Sequence, residues 1–236
     1  MYLHYDCLPC LPGTNKLTIS VGTDQIQDIR CKVHGKDVVL IDTPGFNDTD
    51  QENRSDTAIL ESVMDFMKES WDNKMLLSGI IYLHPLTDAR MTGSSIRNLD
   101  MFRKLCGDDK LGNVILATTK WDDTPLADAT RRQAELESPS GFWSLYIAGG
   151  SKVRRFMNTE ASALALVGEI LGLGRFVPRI QQESVLGKTV RDTDAGAYLN
   201  QRLEKLRREH QKETAALRSE IAKARSDRKC HELDGR

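Results

Sequence analysis

Residues 38–45 read VVLIDTPG and residues 114–122 read VILATTKWD. In each, a continuous apolar run stops at a polar turn. A short run without polar alternation suits a strand buried on both faces, as in a parallel sheet covered by helices. Ligands of such open sheets bind beyond the carboxyl ends of the strands. Asp42, Thr43 and Gly45 follow the first run, and Thr119, Lys120 and Asp122 follow the second. These two stretches set the fold class and the place where a site belongs.

Working upstream, Ile26, Ile29, Cys31 and Val33 alternate imperfectly into His34-Gly35-Lys36, a turn signal. Strand, tight turn and strand predict a β-hairpin ending in Asp42. Leu17, Ile19 and Val21 alternate over residues 16–21, a further short strand, whereas residues 1–15 carry Pro9, Pro12 and Gly13 and read as irregular.

Downstream, Ser55 or Asp56 is placed to cap a helix bearing Ile59, Leu60, Val63, Met64 and Met67. Residues 77–83, LSGIIYL, form another buried strand. Ser94 or Ser95 then opens a helix with Ile96, Leu99, Phe102 and Leu105, closed by Gly107. After the strand at 114–117, residues 123–141 are polar, 142–147 read as helix, 153–157 as strand and 161–171 as an apolar helix. This alternation predicts an α/β fold with a mostly parallel sheet and helices on both faces.

The chain has 236 residues, 39% of them hydrophobic and 28% charged, with a net charge of −1. That accommodates one domain and an extension, and gives no global bias toward nucleic acid or a membrane surface. Five scattered cysteines do not make a disulfide framework. Cys7 and Cys10 have CxxC spacing, but no second pair follows to complete a zinc set. No apolar run reaches the ~18 residues that span a bilayer, and the start lacks a signal peptide's organisation. The expected location is the cytosol, with no membrane span.

From residue 196 to 230 nothing breaks a helix and charges dominate. Leu199, Leu203, Leu206, His210, Leu217, Ile221 and Ala224 fall at spacings of four and three, with a polar gap near Glu213-Thr214. Either a coiled coil, with another copy or a protein partner, or an amphipathic helix folded back onto the domain satisfies that pattern.

The strand-end residues have matching chemistry. An Asp at the position of Asp42 holds a Mg²⁺ water, and Gly45 leaves its backbone N–H open to a terminal phosphate. Thr119-Lys120-Trp121-Asp122 matches the (N/T)KxD pattern of guanine-specific GTPases. Asp122 would accept from guanine N1–H and the exocyclic amino group, a donor pair adenine lacks. Lys120 would lie along the base, and the Thr119 hydroxyl would brace the loop.

On these motifs, residues 22–188 resemble the fungal G-domain proteins related to the immune-associated nucleotide-binding GTPases, a septin-like branch of the TRAFAC class. "VVLIDTPGFNDT", "LSGIIYLHPLTDARMTGSSIRNLDMFRKLCGDD" and "NVILATTKWDD" carry the match. The resemblance implies a three-layer P-loop NTPase-like G domain over residues 16–190, a trailing charged helix, and GTP/GDP and Mg²⁺ as cofactors. It implies Thr23 as the switch threonine, a Mg²⁺ ligand together with Asp42, and Asn158 in the loop that closes over the base.

The family's GxxxxGK(S/T) loop is not found. Nothing before Thr23 matches it. Gly187-Lys188-Thr189 spells its end, but Gln182 stands at the earlier glycine position, beyond the last strand. The strand that should precede the loop, central between 38–41 and 77–83, is then missing as well, with 16–21 the candidate to fill its slot. Truncation of a longer reading frame is expected over degeneration. Phe46 occupies the place of the water-orienting Gln. The expected function is guanine-nucleotide binding with weak or absent GTPase activity. The alternatives are a nucleotide-free pseudo-GTPase acting as an interaction module through its terminal helix, and an ATPase of related fold.

Overall fold

The structure, a computed structural model, describes residues 2–6, 26–46, 55–88 and 90–234, with the side chains of 26–46, 55–88 and 90–221. Six strands form one sheet in the order β2-β3-β1-β4-β5-β6. They are β1 (Tyr2–Asp6), β2 (Gln27–Val33), β3 (Lys36–Asp42), β4 (Leu77–Pro85), β5 (Val114–Thr119) and β6 (Lys152–Arg155). Among the described residues the accompanying α-helices are α1 (Asp56–Asp72), α2 (Gly93–Cys106), α3 (Leu126–Glu137), α4 (Ser144–Ala148), α5 (Glu160–Ile170), α6 (Arg179–Val185) and α7 (Asp194–Asp234).

Strands β4, β5 and β6 pair in parallel. Strand β1 is antiparallel to both β3 and β4, so β3 runs in the same direction as β4, β5 and β6. Asp42, Pro85, Thr119 and Arg155, the last residues of these four strands, therefore share one edge of the sheet. The β2–β3 hairpin closes as predicted. His34 and Gly35 both take left-handed φ, 50° and 78°, the two-residue turn that matches strand twist.

Alternate residues of the central strands feed two layers. Val39, Ile41, Ile80, Val114 and Leu116 pack with Leu60, Val63 and Met67 of α1 and Leu99, Phe102 and Leu105 of α2. Val38, Ile81, Ile115 and Ala117 face Leu166, Val167 and Ile170 of α5. Gly79 lets α5 sit this close, because a β-carbon there would overlap Ile170. The result is a three-layer α/β arrangement with the sheet between helices.

The N-terminal reading is corrected. Residues 1–15 are not irregular throughout: Tyr2–Asp6 is a strand, and it fills the slot between β3 and β4 for which 16–21 was the candidate. Two apolar strands with open hydrogen-bonding edges are satisfied by any extended segment, whatever its direction. This one runs opposite to both neighbours, with Tyr2 beside Asp42. Residues 16–21 lie outside the described residues.

Smaller readings shift too. Ser55 caps α1, accepting from the Ala58 N–H at 3.3 Å. Helix α2 is capped by Thr92, which accepts from Ser95 N–H at 3.2 Å, rather than by Ser94 or Ser95. Helices α3 and α6 arise where polar stretches gave no apolar period. Helix α3 buries little more than Ala129 and Leu136, and surface pairs such as Arg131 with Glu135 support it.

Candidate functional site

Strand β5 ends at Thr119, and Lys120 turns the chain with a left-handed φ of 63°. That turn drives Trp121 inward, where it is 6% exposed. Its indole N–H donates to the carbonyl and the hydroxyl of Thr118, at 3.2 and 3.1 Å. The Arg155 guanidinium covers the ring 4.2 Å from its centre, while its Nε donates to Gln133 at 3.0 Å. Two backbone bonds tie the loop to its neighbours: Leu86 N–H donates to Thr119 O at 3.0 Å and Phe156 N–H to Thr118 O at 2.8 Å.

The burial of Trp121 leaves Lys120 and Asp122 on the outside. The Lys120 ammonium sits 3.2 Å from the Asp123 carboxylate, with both side chains more than half exposed. Asp122 is exposed and has no protein partner among the described residues. A carboxylate held on a braced loop beside a lysine stem is free to accept from an external pair of N–H donors.

The loop after β6 supplies the second wall. Asn158 takes a left-handed φ of 53°, and Thr159 opens α5 by accepting from Ser162 N–H at 3.2 Å. The Ser162 hydroxyl in turn accepts from the Met157 and Thr159 N–H groups. The loops bearing Asp122 and Asn158 thus leave adjacent strands. Glu169 of α5 fixes β6 from below, accepting from Arg154 at 2.7 and 2.8 Å and from Lys152 at 2.9 Å.

The other half lies three strand steps away, about 14 Å at the usual spacing. Asp42 is half-buried, Thr43 and Pro44 are buried, and Gly45 is exposed. A β-carbon on Gly45 would touch nothing, so the space beside its backbone is open. Phe46 packs against the main core, which turns its ring away from any attacking water. Thr23, expected to complete a Mg²⁺ site with Asp42, lies outside the described residues.

The two halves differ in fit. The open, partnerless Asp122 with Lys120 beside it suits a guanine base. The described residues of the phosphate half do not by themselves suit a triphosphate with its metal. A phosphate-cradling loop must leave the central strand at the carboxyl edge, yet β1 begins at that edge and ends opposite Val38. Among the described residues no cluster of three or more His, Cys, Asp or Glu gathers to hold a metal ion. Gly187-Lys188-Thr189 offers no cradle either. Gly187, with φ 79°, ends α6, and Lys188 is bound to the buried carboxylate of Glu183 at 2.7 Å.

The structure brings Thr119, Lys120, Asp122 and Asn158 to the ends of the neighbouring strands β5 and β6; sequence reasoning missed Trp121 and Arg155 as the pair that holds the loop. A tryptophan inside the motif was the available signal. Its arginine lies on another strand at no fixed spacing. Among the described residues no helix is long and apolar enough to cross a membrane. No family model and no curated protein matches this chain.

Proposed function

We propose that this chain binds guanine nucleotides through a base site made of Thr119, Lys120, Asp122 and the Asn158 loop, weakly and with little or no GTPase activity. The reading is that of an incomplete G domain. One observation carries it: Asp122 stands exposed and without a partner among the described residues, on a loop that Trp121 and Thr118 brace from within, next to the loop after β6. A carboxylate in that setting selects guanine through its N1–H and amino donors. Asp42, Thr43 and Gly45 share the same edge and are the residues that would meet the phosphates and a Mg²⁺ ion. No hydrolytic step is assigned, since the described residues of the phosphate half form no cradle and Phe46 packs against the core.

The test is titration of the full chain into fluorescently labelled GDP with Mg²⁺, followed by competition. Saturable binding displaced by GTP but not ATP is expected, and Asp122→Ala abolishes it. Absence of saturation at high micromolar protein sinks the proposal.

A second reading, a nucleotide-free interaction module, is favoured by the exposed leucines of α7. Leu203, Leu206 and Leu217 are 42%, 48% and 59% exposed. Partner binding that persists in Asp122→Ala and ignores GDP distinguishes it from the first.

A further inference from the structure

Where the chain leaves β4, it borders with α3 a cavity of about 280 Å³. That is just under the ~300 Å³ at which small-molecule sites begin, so a ligand there is small. His84 is the deepest polar group of the lining, 7% exposed. Its ring stands edge-on to the buried Trp143, with 5.9 Å between ring centres. Neither imidazole nitrogen has a hydrogen-bond partner among the described residues, and neither is sealed from solvent. Burial lowers the ring's affinity for a proton, against the pull of Asp88. At neutral pH it therefore offers one N–H donor and one bare nitrogen.

The rest of the lining carries both signs of charge and an apolar wall. Arg132 of α3 is half-buried, and its Nη1 donates to Leu86 O at 2.5 Å and Thr87 O at 3.2 Å. No described residue accepts from its Nη2. Asp88 and Arg90 are exposed, and no ion pair joins either to a described residue. Glu135 is held by Arg131 at 2.7 Å, which leaves Asp88 as the acid without a partner. Leu136 is buried, Met91 is half-buried, and the Phe142 ring is 46% exposed. A purely anionic ligand meets Asp88 and Glu135, and a purely cationic one meets Arg90 and Arg132. A small zwitterion with a hydrocarbon body satisfies both signs and covers the open ring.

We propose that this cavity binds a free α-amino acid with a large apolar side chain. Its carboxylate accepts from the His84 N–H and from Arg132 Nη2 and Arg90. Its ammonium donates to Asp88. Its side chain covers Phe142 and packs on Met91 and Leu136. None of these residues belongs to the proposed base site, so the inference does not depend on nucleotide binding.

The test titrates L-leucine and L-phenylalanine into the full chain by calorimetry, while NMR follows the His84 Cε1–H proton, assigned by its loss in His84→Gln. Saturable binding of at least one amino acid is expected, with displacement of that resonance. N-Acetyl-L-leucine lacks the ammonium and L-leucinamide the carboxylate, and each should bind roughly tenfold more weakly than L-leucine. L-Serine, without the apolar body, should not saturate. Asp88→Asn and Phe142→Ser change exposed positions. Each should weaken binding of the preferred amino acid roughly tenfold, with unchanged circular dichroism. No saturation by either amino acid at millimolar concentration overturns the proposal. So does binding that leaves the His84 resonance in place or survives both substitutions unchanged. N-Acetyl-L-leucine or L-leucinamide binding as tightly as L-leucine overturns the zwitterion as the ligand class.

Discussion

The guanidinium of Arg155 lies 4.2 Å from the centre of the Trp121 ring. One residue ends β6 and the other sits inside the loop after β5, so the contact clamps together the two strand exits that flank the proposed base site. The stacking is partly desolvated, because Trp121 is 6% exposed, and such contacts contribute about 1 kcal/mol.

Removing Arg155 should therefore loosen the loop without unfolding the sheet. Arg155→Ala is expected to lower the global stability by about 1 kcal/mol and to weaken labelled-GDP binding several-fold. Trp121→Phe keeps the ring but loses both bonds to Thr118, and should weaken GDP binding as well. Equilibrium urea unfolding and fluorescence titration read the two effects separately.

Asp122→Asn tests base recognition by changing the partner rather than destroying the site. The amide presents a donor where the carboxylate accepts. Guanine offers an amino group at that position and xanthine a carbonyl oxygen. The variant should lose GDP and gain XDP, each by about tenfold or more, measured by competition. Equal loss of both bases argues that Asp122 does not face the base.

Glu183 predicts a large stability effect far from that site. Its carboxylate is 1% exposed, accepts from Lys188 at 2.7 Å and lies 3.6 Å from Arg179. It also accepts from the Asp194 N–H, which opens α7, at 3.2 Å. Glu183→Ala removes the partner of the partly exposed Lys188 and the cap of α7, and should cost about 2 kcal/mol. Limited proteolysis should then cut between α6 and α7 faster than in the parent.

Glu169 supplies a pH dependence. The hydrogen bond from Arg154, with help from Lys152, holds its carboxyl below the ordinary range against the opposing effect of burial. Its contribution is present above the unfolded value, about 4.3, and is lost as pH falls through the depressed folded value. With Arg154 half exposed, Glu169→Gln should cost about 1 kcal/mol at neutral pH. That difference should shrink as pH falls through the depressed folded value, as thermal melts at neutral and acid pH would record.

Gly79→Ala probes the packing of α5 on the sheet. The added methyl meets Ile170, which is fully buried. Overpacking of this kind costs about 2 kcal/mol, and Ile170→Val in the same chain should recover part of it.

Much of the fold was legible because it rests on local rules. The apolar runs at 38–41, 77–83 and 114–117 became β3, β4 and β5, since a strand covered on both faces needs no polar alternation. His34-Gly35 closed the hairpin because only left-handed φ values suit that turn. Thr119, Lys120 and Asp122 were placeable because a strand end and a short motif lie together in the chain. Helices α3 and α6 escaped because each buries so few apolar residues that no period shows.

The sequence by itself determined the buried strands, their direction through the alternation with helices, and the residues set at their carboxyl ends. Those properties depend on side chains within a few positions of one another. Only the tertiary structure decided that Tyr2–Asp6 fills the central slot, and fills it backwards, because open strand edges accept an extended segment of either polarity. It alone set Arg155 over Trp121 and Glu183 under the start of α7. Each of these depends on distant segments meeting in space, and no spacing in the chain encodes that.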